Sequence, residues 1–349
     1  MAAEVAAAVV MGLLLALAMW LDRRWGEPPV AFHPVVWMGH YLQACGSRIA
    51  RCAPGPAFVL GALAWWLGAL MTGALAWGLQ AVVFLQLMQW RRMDDLQNFG
   101  DGSVILGLLL FLVLLVTSAG FLKAMLSWRM LREETGAVEV ALQHSLQAGR
   151  DRLAMLVSRD TSNLSEDEVR ESVIESLAEN LNDSVVAPIF WFVLFGLPGA
   201  AVYRFANTAD AMWGYRGMRH GVDWEWAGKW AAWADDVLSW LPARLTAMLL
   251  ALVCGGLNLR TLRTLRLEAH KTPSPNSGWP MAAMALALGV RLCKPGVYIL
   301  NNAGRLARTS DAVAAQKYAS KAVVAVVACA LLAIVFIAYC APGFFGFFL

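Results

Sequence analysis

Charge is what this 349-residue chain has least of. Asp, Glu, Lys and Arg make up 15% of it, where a soluble globular chain carries about 25%. The net charge of +3 is too small to argue for a nucleic-acid partner. Six cysteines, at 45, 52, 254, 293, 329 and 340, include no C-x-x-C pair. That leaves neither a zinc pattern nor a disulfide framework, and points to reduced thiols facing cytoplasm or lipid. No G-x-x-x-x-G-K-[ST] is present, which excludes a P-loop, and neither a strand-linked G-x-G-x-x-G nor a G-x-S-x-G elbow occurs. The first apolar run has Glu4 before it, no basic n-region and no clear A-x-A-like cleavage site after it, so it reads as a retained anchor and not as a signal peptide. There is no internal repeat and no low-complexity tract.

What the chain has in place of charge is long apolar runs. Hydrophobic residues make up 59% of it, with sixteen Trp and fifteen Phe suited to interfacial and lipid-facing positions. Residues 5–21 are long enough to cross a bilayer, which takes ~17–25 residues. Further runs lie at 57–89, 103–126, 184–206, 240–257 and 321–340. The expected fold is all-α: a polytopic integral membrane protein with about five to six apolar helices and a cytoplasmic helical insertion. Residues 1–126 form N-terminal membrane helices with a cytoplasmic loop at 22–56, in which 40–53 is a short interfacial helix. Residues 127–183 form a cytoplasmic helical segment with an acidic motif. Residues 184–257 hold short or re-entrant membrane segments around a polar motif loop, 258–320 a basic cytoplasmic segment, and 321–349 a C-terminal membrane helix. In the second run Gly61, Gly68, Gly73 and Gly78 allow close helix contact. Pro188 and Pro198-Gly199 make the run at 184–206 short or broken. Lys and Arg concentrate in 22–56, 127–183 and 258–320, which the positive-inside rule places in the cytoplasm with both termini outside. Two full crossings at 184–206 and 240–257 would put the loop 207–239 on the other side from 159–183. A proline-broken, re-entrant pair lining a polar cavity is therefore the expectation there.

The polar chemistry collects between 159 and 244. Ser165-Glu166-Asp167-Glu168 is a capping box that opens a helix. From it, Val173, Ile174, Leu177 and Leu181 form an apolar face, while Glu171, Glu175, Glu179 and Asp183 step by four along another. Asp160, Glu175, Glu179, Asp183, Asp210, Asp235 and Asp236 are candidates to converge on a divalent ion, since Mg²⁺ takes one or two carboxylates together with substrate phosphates. Glu171, Glu175 and Glu179 read equally well as a solvated face, and Asp235-Asp236, just ahead of a hydrophobic span, as charges at a helix N-terminus. Arg159 and Arg244 suit phosphate or carboxylate recognition, whereas Arg204 and Arg219 fit positive-inside anchoring better. Asn180, Asn207 and Asn276 offer donor and acceptor together, although Asn276, set between Pro275 and Ser277-Gly278, is read at least as readily as a turn residue. His33 and His40 have no partner at metal spacing. The residues alone thus give a membrane protein with an acid-rich, arginine-flanked cytoplasmic site for a phosphate-bearing substrate with Mg²⁺, and leave the reaction open.

Six motifs in order carry a more specific resemblance: L-D-R-R-W-G-E-P-P with H-P-V-V-W-M-G, S-R-D-T-S-N-L, E-S-L-A-E-N-L-N-D-S-V-V-A-P-I-F-W, N-T-A-D-A-M-W-G-Y-R, D-D-V-L-S-W-L-P-A-R-L-T-A, and P-S-P-N-S-G-W-P-M-A-A-M-A. Over nearly its whole length the chain resembles the cobinamide-phosphate synthase family of cobalamin (vitamin B12) biosynthesis, the CobD/CbiB type. The resemblance implies an integral enzyme of the cell (inner) membrane with its active site on the cytoplasmic side. It implies ATP-dependent amide formation between adenosylcobyric acid, a corrinoid substrate, and (R)-1-aminopropan-2-ol or its O-phosphate, with Mg²⁺. By that resemblance Asp160, Glu175, Glu179, Asp183 and Asp210 take metal and base positions, Asp235 and Asp236 join the metal set, and Arg159 and Arg244 hold phosphate. Asn180, Asn207, Tyr215 and Asn276 orient substrate. The bilayer is a partner and nucleic acid is not; a homo-oligomer, or association with other late cobalamin-assembly membrane enzymes, is left open. The chain departs from the family pattern at Ser158 and Ser184, where Gly is frequent, at Ala211 for Ser, at Met281 for Glu, and at Glu27 for Asp. A non-catalytic membrane sensor of the same fold family is the alternative, and retention of the acids and arginines weighs against it.

Overall fold

The computed structural model of the protein describes residues 2–92, 101–219, 221–255, 259–341 and 343–344, which are almost entirely helical. The helices are α1 (Ala2–Trp25), α2 (Pro34–Ile49), α3 (Pro54–Arg92), α4 (Asp101–Ala124), α5 (Trp128–His144), α6 (Leu146–Leu153), α7 (Glu166–Leu181), α8 (Ala187–Trp213), α9 (Lys229–Val253), α10 (Leu259–Ala269), α11 (Gly278–Leu288) and α12 (Thr309–Cys340). Two antiparallel hairpins interrupt them, β1 (Met218–Arg219) with β2 (Val222–Asp223) and β3 (Leu292–Lys294) with β4 (Tyr298–Leu300). Among the described residues, 6 helical stretches are long and apolar enough to cross a membrane, and the chain is a multi-pass membrane protein. It divides into two compact units, residues 1–126, 188–235 and 327–349 forming the first and residues 127–187 and 236–326 the second. The polar link expected over 90–102 lies largely outside the described residues.

In the first unit, small residues set how closely the helices approach. A Cβ on Gly61 would stand 2.3 Å from the Ala227 carbonyl oxygen, on Gly68 2.2 Å from the Phe205 ring, and on Gly73 3.1 Å from Val202, while Gly78 faces open space. Three of the four glycines in the α3 run thus serve the close contact their spacing suggests. The broken run is real and its break is at Gly196, whose φ of 63° lies in the left-handed region inside α8, two residues before Pro198. A break at membrane depth frees backbone groups that lipid cannot satisfy. The fully buried Gln80 of α3 meets this need, its Oε1 accepting from the Leu197 N–H at 2.7 Å. At the far end of α1, Lys123 of α4 donates to Glu27 at 2.6 Å and lies 3.7 Å from Asp22, and His33 Nε2 lies 3.1 Å from the same Glu27 oxygen. His33 also caps α2 by accepting from the Val35 N–H, so α2 starts at Pro34, six residues ahead of the helix expected at 40–53. Burial pushes Glu27 up, but its bonds to His33 and Lys123 outweigh that and hold it below the ordinary carboxylate value.

The second unit opens with α5, α6 and α7, which make up the helical segment expected over 127–183. They close on Val138, Leu142, Leu153, Leu164, Val169 and Val173. The capping box is formed as the sequence reads it: the Ser165 hydroxyl accepts from the Glu168 N–H, and the Glu168 carboxylate accepts from the Ser165 N–H. Arg170, spaced with the apolar face, is buried between Glu139 and Glu166, donating to the first through two nitrogens. After α7 the backbone makes one π-helical turn over Asn182–Val186 before α8. The run from Glu166 to Trp213 is 48 residues, roughly 70 Å of helix against a hydrocarbon core of ~30 Å. Six acids fall in its first sixteen residues, so its spanning part begins at Ala187 and α7 stands outside the bilayer. Of the two readings of the α7 acids, the solvated face does not hold: Glu171 is 0% and Glu175 3% exposed. The cover comes from the β3–β4 hairpin region, from which Arg291 donates to Glu171 at 3.3 Å. The fifth span is also longer than expected. α9 begins at Lys229, so Asp235 and Asp236 lie within its second turn and not ahead of the helix.

Candidate functional site

The second unit holds a polar cavity of about 160 Å³ where α7, the loop before it and the β3–β4 hairpin meet. Arg159 donates from Nη2 to Glu175 Oε2 at 2.5 Å across its floor. The other donor and acceptor of this pair, Arg159 Nη1 and Glu175 Oε1, are buried and make no well-formed hydrogen bond among the described residues, while the Tyr298 hydroxyl acts on the same Glu175 carboxylate. Glu179 and Asn180, one turn further along α7, line the same space with Ser172, Ser176, Lys294 and Tyr298. An opposed pair with unused polar atoms on both partners can receive a ligand that carries both an acceptor and a donor or cation.

Electrostatics here are those of crowded carboxylates. Burial raises Glu175 above its ordinary value, against the pull of Arg159. Burial also pushes Glu179 up to about 7, helped by the like charges of Asp183 and Glu175 and opposed by Lys294 and Arg159. The Tyr298 hydroxyl is held protonated by burial and by Glu175 and Glu179. That hydroxyl also contacts the Met281 sulfur at 3.7 Å, so a residue of α11 touches a cavity residue. Among the described residues no three His, Cys, Asp or Glu side chains are grouped to hold a metal ion. The set Glu175, Glu179, Asp183, Asp235 and Asp236 is therefore not gathered as one cage. Glu175 and Glu179 share the cavity, with Asp183 within electrostatic reach. The π-turn interrupts the four-residue stepping between Glu179 and Asp183.

The remaining expected residues of this unit are placed elsewhere. Asp160 is exposed and accepts from the Ser162 N–H at 2.9 Å, a bond that lowers its pKa and turns the loop. Arg244 lies between two indoles, 4.3 Å from Trp240 and 4.8 Å from Trp279. It donates to Asn276 Oδ1 at 2.9 Å and to the carbonyls of Pro275 and Trp240. Asn276 in turn donates to the Asp236 carbonyl at 2.8 Å. Arg244 is thus engaged in fastening the loop 273–280 to α9, and the turn role weighed for Asn276 is the one its contacts support.

In the first unit Asn207 Nδ2 lies 3.4 Å from Asp235 Oδ1. Tyr215 donates to the Ala211 carbonyl at 2.8 Å with Arg219 stacked 3.5 Å from its ring centre. Asp210 accepts from the Gly214 N–H through its backbone carbonyl. This unit also holds an apolar cavity of about 180 Å³ lined by Trp37, Tyr41, Met71 and Phe205, without converging charges. Ser172 and Ser176 line the cavity and were passed over by motif reading, as were Lys294 and Tyr298. The turn signal Lys294-Pro295-Gly296 was the clue to the hairpin that brings them in.

Comparison with known proteins adds ancestry to this geometry. The family described as CobD/Cbib protein matches residues 15–327. A protein of Methanothermobacter thermautotrophicus named probable cobalamin biosynthesis protein CobD is 38% identical over 293 residues, covering 83% of this chain and 86% of that one. A protein of the same name from Thermococcus kodakarensis is 41% identical over 285 residues, covering 82% and 83%. The cobalamin biosynthesis protein CobD of Chromobacterium violaceum is 39% identical over 281 residues, covering 80% of each. No solved structure matches the chain.

Proposed function

Because the chain belongs to the CobD/CbiB family of cobalamin biosynthesis, we propose that it is the ligase that joins the free carboxyl of adenosylcobyric acid to the amine of (R)-1-aminopropan-2-ol or its O-phosphate. The observation that carries this reading is the cavity in which Arg159 and Lys294 face Glu175 and Glu179. Amide formation needs the carboxylate activated, with ATP as the expected phosphoryl donor. The amine then attacks the carbonyl carbon, phosphate leaves with the C–O bonding pair, and the ammonium proton passes to a base. Glu179, titrating near 7, suits that base, because catalysis favours a group whose pKa lies close to the working pH. The unused Nη1 of Arg159 and the Lys294 ammonium suit phosphate oxygens.

A buried carboxylate oxygen with no hydrogen bond fits a divalent cation, so Glu175 through Oε1 would help substrate phosphates hold Mg²⁺, which leaves Glu179 as the base. When bound, Mg²⁺ supplies neutralisation of phosphate charge. Arg244, Asn276 and Asp236 act by holding the loop 273–280. The density of basic residues in the same unit supports a cytoplasmic site in the cell membrane.

The test uses full-length protein in liposomes with adenosylcobyric acid, Mg-ATP and either amine, read by mass spectrometry. An amide product that requires ATP is expected, and the preferred amine identifies the substrate. Corrinoid binding without product from either amine would replace the ligase by the sensor.

A further inference from the structure

The β3–β4 hairpin is too small to hold itself in place, because two strands alone are marginal in water. Its base is fastened to α10 and α11. The Asn301 N–H donates to Glu268 Oε2 at 2.7 Å, and the Asn301 side chain donates to the carbonyls of Val290 at 2.9 Å and Ala285 at 3.3 Å. Its tip carries Lys294, paired across the strands with Tyr298, in a turn closed by the Val297 N–H on the Lys294 carbonyl at 2.9 Å. Pro295, Gly296 and Val297 of that turn are exposed, so the aim of the lysine is set by where the strands are held.

On the other side the strands meet α7. β3 packs along that helix, with Arg291 and Cys293 beside Glu171, and with Lys294 and Tyr298 sharing the cavity with Glu175 and Glu179. Glu171 is fully buried and is not among the residues that line the cavity. Arg291 donates to it at 3.3 Å, and the Cys293 N–H acts on the same carboxylate. A carboxylate taken out of water is costly unless it is paired, and an apolar side chain in its place would cover β3 without that cost. What the acid adds is direction. A planar guanidinium meets a carboxylate in few geometries, which fixes Arg291 and with it the strand three residues before Lys294.

We propose that Glu171 is a positioning residue: by holding Arg291 and β3 on α7, it sets the Lys294 ammonium in the cavity facing Glu179. The use of Lys294 on substrate phosphate rests on the ligase reading, whereas the latch does not. The acids that step along α7 then divide the work, Glu171 aiming the hairpin, Glu175 pairing with Arg159 and Glu179 serving as base. The latch is tested on full-length protein in nanodiscs by amide hydrogen exchange. Glu171→Gln keeps the shape and removes the charge. It should cut the protection of residues 292–300 about tenfold or more, as for loss of a hydrogen bond between charged groups, while the amides of α5 keep theirs. Arg291→Gln changes a side chain that is 31% exposed; it should have the same effect and serves if the first variant does not fold. Action through Lys294 is tested by a double-mutant cycle on amide formation. Glu171→Gln should lower kcat/KM about tenfold by itself, and less than about twofold when Lys294→Met is already present. Unchanged hairpin protection in a folded variant, or equal losses with and without Lys294, overturns the proposal. Absence of product from wild type counts against the ligase reading alone, and hydrogen exchange still decides the latch.

Discussion

Replacing Arg159 by Met isolates the electrostatics of the cavity. The substitution keeps much of the side-chain volume and leaves Glu175, 3% exposed, without its cation. A buried carboxylate stripped of its partner either stays ionised at high cost or takes up a proton. Protonation sets the ceiling on the penalty. From an ordinary glutamate value of 4.5, binding a proton at pH 7 costs about 3.4 kcal/mol at 1.36 kcal/mol per unit, and at pH 5 about 0.7 kcal/mol. The sign follows from the raised pKa of Glu175 in the folded variant. The deficit is small below 4.5 and grows as pH rises through that value, until the folded-state pKa is passed. Unfolding midpoints of wild type and variant in nanodiscs, compared at pH 5, 6 and 7, should therefore diverge with pH, with about four-fifths of the pH 7 ceiling absent at pH 5. Adding Glu175→Gln to Arg159→Met removes the charge that was orphaned and should recover most of the loss at pH 7. A penalty equal at pH 5 and pH 7, or no recovery in the double variant, would refute the pairing as the source of stability. Lys294 would then be the cation that matters.

Further outcomes follow from the other contacts. Glu179→Gln should lower amide formation by about 10²–10⁴-fold while the protein still inserts, and wild-type turnover should rise as pH passes about 7 because the base must lose its proton; full activity in the variant removes Glu179 from the chemistry. Asn276→Ala leaves the Arg244 donor and the Asp236 carbonyl without their shared partner, and the unfolding midpoint should report a loss of about 1–3 kcal/mol. Arg244→Lys should fail to restore the loop, since an ammonium cannot both lie flat between two indoles and donate to three acceptors; proteolysis within 273–280 would show it. Gly68→Val should destabilise by about 1–3 kcal/mol through overpacking against Phe205 and Tyr41, whereas the same change at Gly78, which faces open space, should have little effect on the unfolding midpoint.

Local signals proved readable wherever neighbours in sequence decide the structure. The capping box at Ser165, the apolar runs, the proline-marked break in α8 and the turn nature of Asn276 all depend on a few adjacent residues. What stayed hidden depends on segments far along the chain. The acids of α7 step along one face, and spacing identifies that face without saying what covers it. The cover is the hairpin region more than a hundred residues later, which turns a face suited to water into the wall of a cavity. Arg244 has the composition of a phosphate ligand; only the two tryptophans around it, with Pro275 and Asn276 of the loop, show that three of its N–H groups fasten the chain. The π-turn at Asn182–Val186 left no periodic mark, because one extra residue in a turn looks the same in sequence as no extra residue. Asp235 and Asp236 read as lying ahead of a span because the apolar run begins later than the helix does.

The break in α8 has a consequence for how the protein is made. The Leu197 N–H cannot be satisfied by its own helix, and the acceptor that meets it belongs to α3, 117 residues earlier. Until the two helices meet, α8 carries a donor that hydrocarbon penalises, so its seating is helped by α3. Synthesis from the N-terminus presents Gln80 before Gly196 emerges, which gives the broken helix a prepared seat on arrival. Removing the Gln80 amide should then show first as α8 failing to integrate during biogenesis, before any defect in the finished protein.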